Sequence, residues 1–96
     1  MSGDALEQDR SPAPHRILVI DDEAVIGLSC KRVLGAAGHD VTAYEDPAAG
    51  LQAALSGDFD VILLDLMMPG LDGLEILRRV KAAGVASEVV IITGHS

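Results

Sequence analysis

Val61-Ile62-Leu63-Leu64-Asp65-Leu66-Met67-Met68-Pro69-Gly70 is the stretch whose reading decides the fold. Four apolar residues in succession suit a strand covered on both faces, and the carboxylate that ends them marks where the strand leaves the core. An upstream stretch repeats the pattern: Ile17-Leu18-Val19-Ile20 runs straight into Asp21-Asp22-Glu23. In open parallel α/β sheets ligands bind in the crevice beyond the carboxyl ends of the strands. Two such strands predict one acidic pocket made of Asp21, Asp22 and Asp65. Taken singly, these residues would read as loop carboxylates or helix caps. Taken together, three carboxylates repel one another unless a cation joins them, and hard oxygen donors with open positions suit Mg²⁺.

Working outward, residues 1–15 are polar, charged and interrupted by proline, and read as a disordered amino-terminal tail. Residues 16–20 form a short apolar strand. Over residues 24–37, Ile26, Cys30, Val33, Leu34 and Ala37 recur at helical spacing before Gly38 supplies a left-handed stop. Gly27 within that helix costs about 1 kcal/mol relative to alanine. Residues 40–44 alternate in polarity like a half-buried edge strand. Asp46-Pro47 then starts a helix, because the carboxylate caps free amides and proline has none to lose; that helix ends at Gly57. After the strand over 60–64, Asp72-Gly73-Leu74-Glu75 is a variant capping box that opens a helix reaching Gly84, with Leu74, Leu77 and Val80 facing inward. Residues 89–92 make a last apolar strand, followed by Thr93-Gly94-His95-Ser96. The alternation is βαβαβαβ, and right-handed crossovers make it a parallel sheet between helices.

Composition narrows the function. With 15 Asp and Glu against 7 Lys and Arg, the chain lacks the clustered positive charge that phosphate backbones require, so this segment makes no direct nucleic-acid contact. Tyr44 and Phe59 are its only large aromatics, too few for a base-stacking surface. No stretch approaches the roughly 20 apolar residues of a membrane span, and no signal-peptide layout opens the chain, which predicts a cytoplasmic location. The single Cys30 excludes an internal disulfide and reads as a small packing residue.

The acidic pair after the first strand, the Asp65 that precedes Met-Met-Pro-Gly-Leu-Asp-Gly after the third, and the Thr-Gly-His after the fourth resemble, in order and over residues 16–96, the receiver domain of bacterial two-component response regulators. The resemblance implies a flavodoxin-like doubly wound sheet, here incomplete because the last helix-strand-helix portion is lacking. It makes Asp65 the phosphoacceptor, Asp22 a direct Mg²⁺ ligand, Asp21 a ligand acting mostly through water, and the backbone carbonyl of Met67 a further ligand. Thr93 matches the switch hydroxyl. The implied phosphodonor is a sensor histidine kinase or a phosphotransfer protein. Receivers also carry a lysine and an aromatic switch residue on a fifth strand, and neither has a counterpart here: Lys31 and Lys81 fall in helical patterns, and Tyr44 in the second strand.

The leading expectation is therefore a phosphoacceptor signalling module, not a conventional enzyme. One alternative is a non-switching receiver fragment that acts as an interaction module and self-associates through an exposed sheet edge. A weaker one is an Mg²⁺-dependent aspartyl-phosphate hydrolase of the haloacid-dehalogenase kind, but that family wants a second Asp where this chain has Met67. A nucleotide-binding domain is disfavoured because Asp21-Asp22-Glu23, with no glycine-rich loop, would repel a pyrophosphate.

Overall fold

A computed structural model describes residues 14–68 and 72–92. Its elements, in chain order, are β1 (Arg16–Ile20), α1 (Ala24–Ala36), β2 (Asp40–Tyr44), α2 (Pro47–Leu55), β3 (Val61–Leu64), α3 (Gly73–Ala83) and β4 (Glu88–Ile91). The four strands form one parallel sheet in the order β2-β1-β3-β4. The α/β, flavodoxin-like arrangement expected from the sequence is thus the one observed. The amino-terminal tail expectation falls almost wholly on residues 1–13, outside the described residues, as do Pro69, Gly70 and the Thr93-Gly94-His95-Ser96 run.

The core lies on the side of the sheet that α2 and α3 cover. Leu18 and Ile20 of β1 and Ile62 and Leu64 of β3 point there and pack with Leu51, Ala54, Met68, Ile76 and Val80. Burying each large aliphatic side chain contributes about 1.5–3 kcal/mol. On the other side, Ile17 and Val19 are buried and α1 packs mainly on β2. Gly27, which the sequence presents as a helix weakness, is where α1 touches the sheet: a β-carbon there would come within 2.8 Å of the Ala43 side chain. Its lost propensity is exchanged for a close helix–strand approach. Gly50 plays the same part for α2 against Ile20.

Two side-chain expectations are corrected. Leu74 is 45% exposed, and α3 instead buries Gly73, Ile76 and Val80 with Leu77 beside them. The inward stripe begins one residue earlier than the leucines suggest, because a glycine occupies its first position and carries no apolar signal. Val33 is 66% exposed, since α1 meets the sheet through the narrow line of Gly27 and the half-buried Ile26, Cys30 and Leu34. The helix ends form as anticipated: Asp46 and Asp72 accept from the Ala48 and Glu75 amides at 3.2 and 2.8 Å, and Gly38, Gly57 and Gly84 take positive φ.

Candidate functional site

Asp21 and Asp65 are brought together by the backbone ladders that run one residue past the strands. In the parallel register Ile20 stands beside Leu64. The Asp65 amide then donates to the Ile20 carbonyl at 3.0 Å, and the Asp21 amide to the Tyr44 carbonyl at 3.1 Å. Each carboxylate folds back on its own loop: Asp21 Oδ1 accepts from the Glu23 amide and Asp65 Oδ1 from the Met67 amide, both at 2.9 Å. One oxygen of each is thereby fixed, which orients the other. Asp21 and Asp65 are 3% and 4% exposed, and Asp22 is more open to solvent.

Oxygen atoms from Asp21, Asp22 and Asp65 all lie within 4.8 Å of one another. Among the described residues, none of the three carboxylates has a basic side chain within ion-pairing distance. The electrostatic consequence shows at Asp21, whose pKa is pushed above the usual carboxylate value. Burial is the main cause; the bond from the Glu23 amide opposes it, and the charges of Asp65, Asp22 and Glu23 add to it. Burial also raises the Cys30 thiol, with the Asp21 charge as a second cause, so Cys30 lacks the depressed pKa of a reactive cysteine. The donor set is all oxygen, anionic and convergent, which fits a small hard divalent cation and no soft one.

Sequence reasoning missed Gly73. A β-carbon there would overlap the carbonyl oxygen of Asp65 and lie 2.6 Å from Cα of Leu66, so the first turn of α3 sits directly on the loop that follows β3. The only signal was a glycine just after the capping Asp72, where a good helix former would be expected. Met67 is exposed beside the site. Thr93 lies outside the described residues, and its place relative to Asp65 is not part of the geometry.

The family description of the response regulator receiver domain matches residues 17–96. The chain belongs to that family. The receiver is 42% identical over 79 residues to the transcriptional regulatory protein FixJ of Bradyrhizobium diazoefficiens, an alignment covering 82% of this chain and 38% of that protein. The chain thus spans well under half of that relative. Among solved structures it resembles a response regulator receiver domain from Clostridium thermocellum, with 36% identity, a TM-score of 0.76, and coverage of 84% of this chain and 66% of that one. The receiver domain of the hybrid histidine kinase CckA matches with 31% identity, a TM-score of 0.73, and coverage of 82% and 75%. The receiver is accordingly a signalling domain of two-component systems, and no helix among its described residues is long and apolar enough to cross a membrane.

Proposed function

We propose that this receiver accepts a phosphoryl group on Asp65, in a reaction that needs a divalent cation, Mg²⁺ by preference, held by Asp22, Asp65 and the Met67 carbonyl, with Asp21 acting mostly through water. The observation that carries the reading is the convergence of the three carboxylates, with no basic partner among the described residues. Asp65 is the acceptor because it both ends β3 and lies beside the carboxyl end of β1. Its Oδ1 is occupied by the Met67 amide, which leaves Oδ2 as the nucleophile.

In the proposed step that oxygen forms a bond to phosphorus as the N–P bond of a phosphohistidine breaks, and the bonding electrons leave with the imidazole nitrogen. The cation, when bound, neutralises charge on the transferring oxygens. The Glu23 and Met67 amides hold the carboxylates in orientation throughout, so little rearrangement is needed. The donor we propose is a sensor histidine kinase or phosphotransfer protein, and the likeness to a receiver carried by a hybrid kinase supports that class. Thr93 is proposed as the switch hydroxyl. We also propose a cytoplasmic setting, a receiver unit over residues 16–96, and no conventional enzymatic turnover of a separate substrate.

A second reading rests on β4, which pairs only with β3 among the described residues and leaves Val90 and Ile91 42% and 39% exposed. There the chain would serve as an interaction module that pairs along this edge.

Incubation with a small phosphodonor and Mg²⁺, followed by mass spectrometry of peptides, tests the leading reading. One phosphoryl group is expected on Asp65, removed by Asp65→Ala and by chelation of the metal. Label on another carboxylate at the parent level would overturn the assignment.

A further inference from the structure

The other end of the sheet carries a cluster for which phosphoryl chemistry has no use. His15, immediately before β1, and His39, in the turn between α1 and β2, stack their rings with centroids 5.5 Å apart and planes 18° from parallel. The His15 amide donates to Nδ1 of His39 at 3.1 Å, and the His15 carbonyl accepts from the Asp40 amide at 2.9 Å. Just before β3, Asp60 Oδ2 accepts from the Arg16 amide at 2.8 Å and lies 3.7 Å from Nδ1 of His15. Arg16 lies 3.9 Å from an Asp40 carboxylate oxygen and stacks its guanidinium 5.2 Å from the centre of the Phe59 ring. Among the described residues, Asp60 of the α2–β3 loop is the charge beside the His15 imidazole, and the Arg16–Asp40 pair of β1 and β2 adjoins it in sequence.

The two rings have opposite requirements for a proton. An imidazole nitrogen accepts a hydrogen bond only when bare, so the bond from the His15 amide demands that neutral His39 carry its proton on Nε2. A second proton on His39 turns the acceptor into a donor and sets two N–H groups head to head. On His15 a second proton does the reverse, because both ring nitrogens then donate and Nδ1 faces Asp60. Stacked rings that both bear charge also repel.

We infer that His15 and His39 form a proton-operated clasp on the segment that leads into β1. With His39 neutral, the clasp ties the His15 backbone to the α1–β2 turn; in mild acid that tie breaks and the His15 side chain is held by Asp60 instead. The link between the His15 backbone and the α1–β2 turn thereby responds to pH at the end of the sheet away from Asp21, Asp22 and Asp65, independently of the proposed acceptor chemistry.

Nuclear magnetic resonance on the whole chain tests the clasp through the imidazole nitrogen shifts and the exchange protection of the His15 amide, with the Ile62 amide inside the ladder as the reference for global opening. At about pH 7.5, His39 is expected as the Nε2–H tautomer; between about pH 7.5 and 5.5, His15 protection should fall about tenfold relative to Ile62. His39→Ala should remove that protection throughout the range. An Nδ1–H tautomer at His39, a constant ratio of His15 to Ile62 protection in the parent, or parent-level protection in His39→Ala would each overturn the clasp.

Discussion

The two ends of this one sheet treat charge in opposite ways. At the amino ends of β2 and β3 the carboxylates have cationic or hydrogen-bonding neighbours: Asp40 faces Arg16, and Asp60 takes the Arg16 amide and lies beside His15. At the carboxyl ends Asp21, Asp22 and Asp65 face one another. The first end holds loops in place with exposed, screened pairs that each add little stability. The second keeps buried charge in a crowded state that folding alone does not relieve, and so it offers a divalent cation a large reward for binding. Where a domain leaves like charges together at a strand terminus, the deficit itself points to the ligand.

Four substitutions break or sharpen that contrast, from the largest expected effect to the smallest. Gly73→Ala forces a methyl group into the Asp65–Leu66 backbone and should cost about 3 kcal/mol in denaturant unfolding, with weakened cation binding besides. A cost below about 1 kcal/mol would show that the loop yields easily. Asp22→Asn removes an anionic donor and should lower Mg²⁺ affinity about tenfold or more in a titration, equivalent to about 1.4 kcal/mol. Affinity equal to the parent would take Asp22 out of the site.

Asp21→Asn should act in the opposite direction on the metal-free chain. Because burial and its acidic neighbours raise the folded pKa of Asp21, the stability linked to its protonated form is complete below the unfolded carboxylate value and is lost as pH rises through the folded one. A side chain that is always neutral should therefore stabilise the fold at about pH 7, and the gain should fade toward about pH 4. Thermal unfolding across that range without metal measures it. Saturating Mg²⁺ should narrow or reverse the difference by favouring the parent. At the other end, Arg16→Ala should cost less than about 1 kcal/mol and leave Mg²⁺ affinity unchanged; a loss as large as that of Gly73→Ala would erase the distinction between the two ends.

The sequence made the acidic end more legible than the histidine end, and the reason is physical. An aspartate directly after four apolar residues announces its location, because strand geometry fixes where such a residue must emerge. Nothing comparable marks His15 and His39, whose meeting depends on how the α1–β2 turn folds beside the start of β1. His15 in particular reads as part of a tail, yet its backbone is bonded on both sides. Glycines were the other blind spot. Gly27 registers in propensity only as a cost, and Gly73 as an undistinguished residue, although each marks a contact that admits no β-carbon. Leu74 was misassigned for the same reason, since the inward stripe of α3 starts at a residue without a side chain. Caps and stops, which depend on neighbours within four residues, were readable almost to the residue at Asp46, Asp72, Gly57 and Gly84.

The pairing of Ile20 with Leu64 also divides the chain into lengths that can drift and lengths that cannot. Side chains alternate along a strand, so one residue added between Val61 and Leu64 would turn the Asp65 carboxylate toward the opposite face and part it from Asp21 and Asp22. The same residue added to the loop between α2 and β3 would be absorbed before the ladder begins. Insertions and deletions among related chains should therefore collect in the loops away from the carboxylates, while the count from the first paired residue of β3 to Asp65 stays fixed.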